Sequence, residues 1–164
     1  MRLSVFNQIP ADQAVEVLRP CIDVSRWVNE IVAARPFATT DEFYDFAVRS
    51  AAPFSHAEVT AALAHHPRIG ERAAGNSAEA KLSRGEQATL TLDADVTTRL
   101  AQANAEYEAR FDRVFLIRAA GRTSEEILAE CQRRLHNDEA TELLEVADQL
   151  RQIALLRLRG AVTD

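Results

Sequence analysis

Apolar residues in this chain recur at intervals of three and four, the spacing of one buried helix face. Ala14, Val17 and Leu18 follow Pro10, which reads as a first-turn proline, and Trp27, Val28, Ile31 and Val32 follow Ser25, a candidate cap. Arg35-Pro36 stops that stripe, and Thr39-x-x-Glu42 is a capping box ahead of Phe43, Phe46 and Ala47. After Pro53, Ser55-x-x-Glu58 opens another helix, on which Val59, Ala62, Leu63 and His66 fall at i, i+3, i+4 and i+7. The spacing predicts His66 on that helix's apolar face. Pro67 then ends the helix, because proline disfavours helical angles at the residue before it, and Gly70 is free to adopt angles closed to other residues.

Residues 76–87 are polar, and Ser83-x-x-Glu86 again has capping-box spacing, which predicts a loop feeding a helix start. Val96, Leu100, Ala103, Tyr107 and Phe111 mark a longer helix. Val114 to Ile117 is a short apolar run that is either a buried extended segment or one more helical turn. Gly121 closes it. Thr123-x-x-Glu126 starts a helix with Ile127, Leu128, Cys131 and Leu135; His136-Asn137-Asp138 breaks it; and Leu143, Ala147, Leu150, Ala154 and Leu158 form the last stripe. No alternating strand pattern persists and no repeat is found. The expected fold is all-α, a single-domain bundle of about seven or eight helices over residues 1–164.

The 164 residues, 47% of them hydrophobic, suffice for one core. The formal charge of -6 and the lack of a basic run argue against a nucleic-acid partner. Cys21 and Cys131 stand far apart in no paired spacing, so both read as core residues and no disulfide framework is expected. With no apolar run of membrane-spanning length and no signal peptide, a cytoplasmic protein without a membrane partner is expected.

Candidate chemistry centres on His65-His66-Pro67-Arg68. Adjacent histidines on a helix point about 100° apart and do not easily share an ion, and His-x-x-x-His and Cys-pair spacings are missing, so no metal site is expected. His65 faces away from the stripe, and His56 and His136 read as solvated. Arg68 and Arg72 beside a near-neutral histidine make a receiver for a small anion. Taken alone, His66 is a core-edge histidine, and Ser83 with Glu86 is a helix cap. In Leu156-Arg157-Leu158-Arg159 one arginine must lie nearer the core, where an unpaired guanidinium is expensive.

Together these residues resemble a family. His66-Pro67-Arg68-Ile69-Gly70-Glu71, then Ser83-x-x-Glu86-Gln87, then Asn104-x-x-Tyr107-x-x-x-Phe111-x-x-x-Phe115, and Leu156-Arg157-Leu158, with Trp27 and Arg35-Pro36-Phe37, are similar to the 2-oxo-4-hydroxy-4-carboxy-5-ureidoimidazoline (OHCU) decarboxylases of urate breakdown. The resemblance covers nearly the whole chain. It implies cofactor-free decarboxylation of an anionic ureidoimidazoline to (S)-allantoin. His66 and Glu86 would be catalytic, and Pro67, Ser83, Arg84, Gly85, Glu86, Gln87, Phe115, Leu116, Ile117, Arg118, Ala119 and Arg157 would bind substrate. A homodimer is also implied. This chain departs from the pattern at Cys21 to Ser25, where members often carry Cys-Gly-Ser, and at Phe111-Asp112, where they often carry Phe-Gly.

The implied chemistry suits these residue types. Loss of CO2 leaves electron density that the adjoining ring carbonyl accepts, so the protein must supply positioning, oxyanion stabilisation and a proton to one face. His66 would donate the proton, Ser83, Glu86 and Gln87 would hold the polar edges, and Arg157 would balance the substrate's charge. The alternative is a non-catalytic all-α module that uses the same arginines to bind an anionic metabolite or a partner helix.

Overall fold

The computed structural model describes residues 1–64, 66–70, 77–87 and 94–164. Among them the helices are α1 (Leu3–Phe6), α2 (Ala11–Leu18), α3 (Ser25–Ala33), α4 (Thr40–Ser50), α5 (His56–Leu63), α6 (Ala78–Glu86), α7 (Ala94–Phe111), α8 (Ser124–Arg134) and α9 (Glu139–Ala161). The described residues include no strand, and Arg2 and Thr163 form an isolated parallel bridge. The all-α expectation holds. The helix the pattern did not announce is α1, whose four residues are too few to show a period.

The chain divides into two compact units, Met1–Ala62 with Leu150–Asp164, and Leu63–Gln149. In the first, the apolar faces of α1 to α4 meet around aromatic side chains. Phe6 and Phe37 pack edge-on against Phe43 with ring centroids 5.4 and 5.3 Å apart. Fully buried Trp27 donates its indole N–H to the Ala47 carbonyl at 2.9 Å. In the second unit, Leu100, Ala103, Tyr107 and Phe111 of α7 pack with Ile127, Leu128 and Cys131 of α8 and with Phe115, Ile117 and Ala119 of the connection between them.

Local signals explain most helix starts. The Thr39 hydroxyl accepts from the Glu42 amide at 3.1 Å, Ser55 and Glu58 bond each other's backbone amides at 3.3 and 2.7 Å, and Thr123 and Glu126 do the same at 3.2 and 2.7 Å. Two caps differ from expectation. Pro10 occupies the N-cap position of α2 rather than its first turn, and Ser25 is the first residue of α3, whose N-cap Val24 offers no side-chain bond.

The larger correction concerns the polar stretch up to Gln87, of which residue 76 lies outside the described residues. Residues 77–87 do not form a loop feeding a helix start, for α6 begins at Ala78, and the Ser77 hydroxyl accepts from the Ala80 amide at 3.1 Å. Ala78, Glu79, Ala80, Lys81 and Leu82 are all good helix formers, so the helix starts at the earlier cap. Gly85 is tolerated because it lies in the last turn, where fewer backbone bonds depend on it.

The final stripe also differs. Leu143 and Ala147 are half-buried, and the buried face of α9 runs through Glu142, Val146, Leu150, Ile153, Ala154, Arg157 and Leu158. A hydrophobic pattern passes over this register because two of its positions are charged. Arg157 is the arginine that lies inward, at 4% exposure, while Arg159 stays exposed with its guanidinium over Tyr44.

Candidate active site

The His66-Pro67 turn comes first. Helix α5 ends at Leu63, so His66 does not ride its apolar face as the spacing predicts; it lies past the end, half-buried, with its amide donating to the Leu63 carbonyl at 3.0 Å. Pro67 is incompatible with a helix running through His66, since it lacks an N–H, its ring would clash with the carbonyl four residues back, and it disfavours helical angles at the residue before it. His65, Glu71 and Arg72 lie outside the described residues.

Three side chains from elsewhere hold the turn. Gly70 has φ +86, and its amide donates to the Gln87 side-chain oxygen at 3.0 Å. A Cβ at Gly70 would come within 3.2 Å of Leu100, so both the backbone angle and the close approach call for glycine. Asn104, 6% exposed on α7, donates its side-chain N–H to the Ile69 carbonyl at 3.0 Å. Arg68 forms a two-pronged pair with Glu108, Nε to Oε1 at 2.5 Å and Nη2 to Oε2 at 2.7 Å. That pair holds the Glu108 carboxyl below its ordinary 4.5, against the opposing effect of its partial burial. Arg68 therefore ties the turn to α7, its guanidinium carrying the Glu108 carboxylate.

Next to the turn a cleft of about 400 Å³ is lined by Arg68, Ile69, Gly70, Leu100, Asn104 and Glu108, among others. The buried Asn104 side-chain oxygen has no hydrogen-bond partner among the described residues. His66, Pro67, Ser83 and Glu86 do not line this cleft.

Ser83, Arg84, Gly85 and Glu86 form the last turn of α6, and Gln87 is its C-cap. Ser83 is buried at 5% exposure, Arg84, Glu86 and Gln87 are half-buried, and Gly85 is exposed. The pair does not cap a helix start. A carboxylate in a final turn opposes the helix dipole, and the reading of Ser83 and Glu86 as the cap of a helix start is removed.

Phe115 to Ala119 is neither helix nor strand. Phe115, Leu116, Ile117 and Ala119 are buried and Arg118 is half-buried, which settles the open reading of this run in favour of a buried non-helical connection. It leaves α7 at Asp112, which has φ +52. Aspartate tolerates this left-handed angle better than most residues, so the Phe-Asp departure preserves the chain direction that glycine would allow. Gly121, at φ +80, turns the chain toward α8.

Turn 66–70, segment 83–87 and connection 115–119 all belong to the Leu63–Gln149 unit. The Gly70–Gln87 bond joins the first two, and Ile69 shares a core cluster with Phe115, Ile117 and Ala119. Arg157 belongs to the other unit, where its guanidinium donates to the Pro20 carbonyl at 3.4 Å. Sequence reasoning missed the roles of Asn104, Glu108, Arg134, Glu142 and Gln149. For Asn104 a signal exists, a polar residue inside an apolar register. Among the described residues, no three His, Cys, Asp or Glu side chains are placed to hold a metal ion, and no helix is long and apolar enough to cross a membrane.

Comparison with known proteins bears on this arrangement directly. A 2-oxo-4-hydroxy-4-carboxy-5-ureidoimidazoline decarboxylase of Haloferax volcanii is 28% identical over 162 residues, covering 96% of this chain and 94% of that protein. A uric acid degradation bifunctional protein of Bacillus sp. (strain TB-90) is 26% identical over 163 residues, 97% of this chain and 32% of that protein. Among solved structures, an OHCU decarboxylase crystallised in the presence of (S)-allantoin is 26% identical, with a TM-score of 0.69 over 85% of this chain and 92% of that one. An (S)-allantoin synthase shares the fold at 14% identity, with a TM-score of 0.71 over 99% of this chain and 54% of that one. Residues 7–159, a span that takes in the turn, α6, the connection and Arg157, match the family model of OHCU decarboxylase, and the chain belongs to that family.

Proposed function

We propose that this chain decarboxylates OHCU to (S)-allantoin in urate degradation without a cofactor, with His66 as the acid–base residue and Glu86 beside it in catalysis. The observation that carries this reading is the release of Ser83 and Glu86 from helix capping in a segment whose Gln87 bonds the His66–Gly70 turn. The C–C bond to the carboxylate breaks, its electron pair stays delocalised on the ring, and a proton from His66 returns that pair to carbon. Ser83, Arg84, Gly85 and Gln87 hold the polar edges, and Pro67 and Phe115 to Ala119 shape the wall. Arg157 would balance the substrate's negative charge, a role that rests on the resemblance of Leu156-Arg157-Leu158 to the family's motif.

The family match runs across both units, which supports residues 1–164 working as one OHCU decarboxylase-like domain. A cytoplasmic homodimer belongs to the same proposal and is checked by sedimentation of the purified protein.

His66→Asn tests the assignment. General acid–base groups contribute about 10²–10⁴-fold, so turnover should fall into that range below wild type while helical circular dichroism is kept. Unaided decarboxylation protonates either face, so the residual product should also lose its handedness. A folded variant that still makes (S)-allantoin in large excess removes His66 from proton delivery.

A further inference from the structure

The second unit buries a charged cluster that the reaction, as derived above, does not use. Arg134 of α8 is 1% exposed and Glu142 of α9 is fully buried. Glu142 Oε1 accepts from Arg134 Nε at 2.9 Å and from the Tyr107 hydroxyl, and its Oε2 accepts from Asn137 at 2.9 Å. Burial, and hydrogen bonding to Glu142, push the Tyr107 hydroxyl pKa upward, so it stays a donor at any ordinary pH. A buried ion pair is weak support for stability, since apolar residues of equal volume commonly do as well. Its cost suggests a different service.

That service is visible in where the third arm of the guanidinium goes. Arg134 Nη1 donates to the Leu116 carbonyl at 2.8 Å, and the guanidinium carbon lies over the Phe115 ring, 4.7 Å from its centroid. Tyr107 meets Phe115 from another side, edge-on at 5.1 Å. Two residues on, the Arg118 amide donates to the Gln149 side-chain oxygen at 3.0 Å. The 115–119 connection lacks helical bonding of its own, and side chains of α8 and α9 take its backbone groups instead.

We propose that Arg134 and Gln149 are positioning residues, which fix the Leu116 to Arg118 peptides so that the connection presents one surface to the substrate. The inference rests on the reading of Phe115 to Ala119 as substrate-lining. Glu142 and Tyr107 act through Arg134: they take its Nε and Nη2 donors and set the plane of its fork, which a lysine would not reproduce.

The test replaces the cluster with apolar residues, Tyr107→Phe with Arg134→Met and Glu142→Leu, so that no charge is left buried alone. The expected result is a helical protein melting near wild type, with kcat/KM lowered tenfold or more and a smaller excess of (S)-allantoin. Arg133→Ala is the matched control. Arg133 bridges the same two helices through Glu145 at the surface and does not bond the connection, so its product handedness and turnover should be those of wild type. Wild-type kcat/KM and handedness in the folded triple variant overturn the proposal. Should the triple variant not fold, Gln149→Leu decides, with a smaller loss in the same direction expected and unchanged kinetics and handedness overturning it. The underlying reading is checked separately by titrating wild-type protein with (S)-allantoin: backbone amide resonances of 116–119 that do not shift sink that reading, and the proposal with it.

Discussion

Residues 83–86 and 123–126 carry the same signature, a hydroxyl residue with glutamate three positions on, and the fold puts them at opposite ends of their helices. Thr123 and Glu126 begin α8 and satisfy each other's backbone amides. Ser83 and Glu86 end α6, whose first turn is already capped by Ser77. The difference teaches that a capping motif speaks only when no better cap lies a few residues upstream. Once the helix has started elsewhere, the same two side chains are placed where they add nothing to helix formation, and a carboxylate there works against the dipole.

Substituting the two glutamates should separate the regions most strongly. Glu86→Ala is expected to lower turnover about 10²-fold, the lower end for an acid–base participant, with a stability change within about 0.5 kcal/mol. Glu126→Ala should do the reverse, losing about 1 kcal/mol, or about 2–4 °C in Tm for a chain of this size, with normal turnover per folded molecule. Thermal melts and steady-state assays on both variants check the contrast, which breaks if the two behave alike.

A pH series sharpens it from the stability side. Glu58, in a working capping box, is held below its ordinary 4.5 chiefly by its hydrogen bond to Arg26, and Glu108 is held low by Arg68. A carboxylate depressed in the folded state lends stability that is complete above its unfolded value and is lost as pH falls through its folded one. Melting temperature should therefore be level above about pH 5 and decline below about pH 4.5, and Glu58→Gln should remove part of that decline. A curve that is flat down to about pH 3 would contradict the role given to these pairs.

The smallest effect is expected from replacing Asp112, at φ +52, by glycine. Asp112→Gly exchanges local strain for a more flexible unfolded chain, so the stability should stay within about 0.5 kcal/mol of wild type and turnover should persist. Asp112→Val, β-branched at a left-handed angle, should cost about 1–2 kcal/mol. If the valine variant melts like wild type, the left-handed exit from α7 is not a constraint.

Much of the helical layout was legible because long amphipathic stretches announce themselves: α7 runs to Phe111 as its stripe predicts, and α8 opens on its box. What escaped was polar. Glu142 occupies a core position of α9 that hydrophobicity assigns to a neighbour, and its partners Arg134, eight residues earlier and on another helix, Tyr107 and Asn137 make that burial tolerable. His66 was placed on a helix face by its spacing, yet the proline beside it decided the matter. The motif residues of the candidate site could be chosen from the sequence, whereas the side chains that hold them in place, Asn104, Glu108 and Gln149, act across distances along the chain that periodicity cannot register.

The bond between Gly70 and Gln87 has a bearing on what can be recognised there. Because a backbone N–H can only donate, the Gln87 amide must turn its oxygen to Gly70, and its rotational ambiguity disappears. The nitrogen is left as the end that faces other company. To any molecule seated against it, Gln87 speaks as a donor, welcoming a carbonyl or carboxylate oxygen and refusing an N–H. Gln87→Glu would keep the tie to Gly70 and invert that polarity, so the exchange of one NH2 for an oxygen would turn an edge that selects for oxygen into one that selects against it.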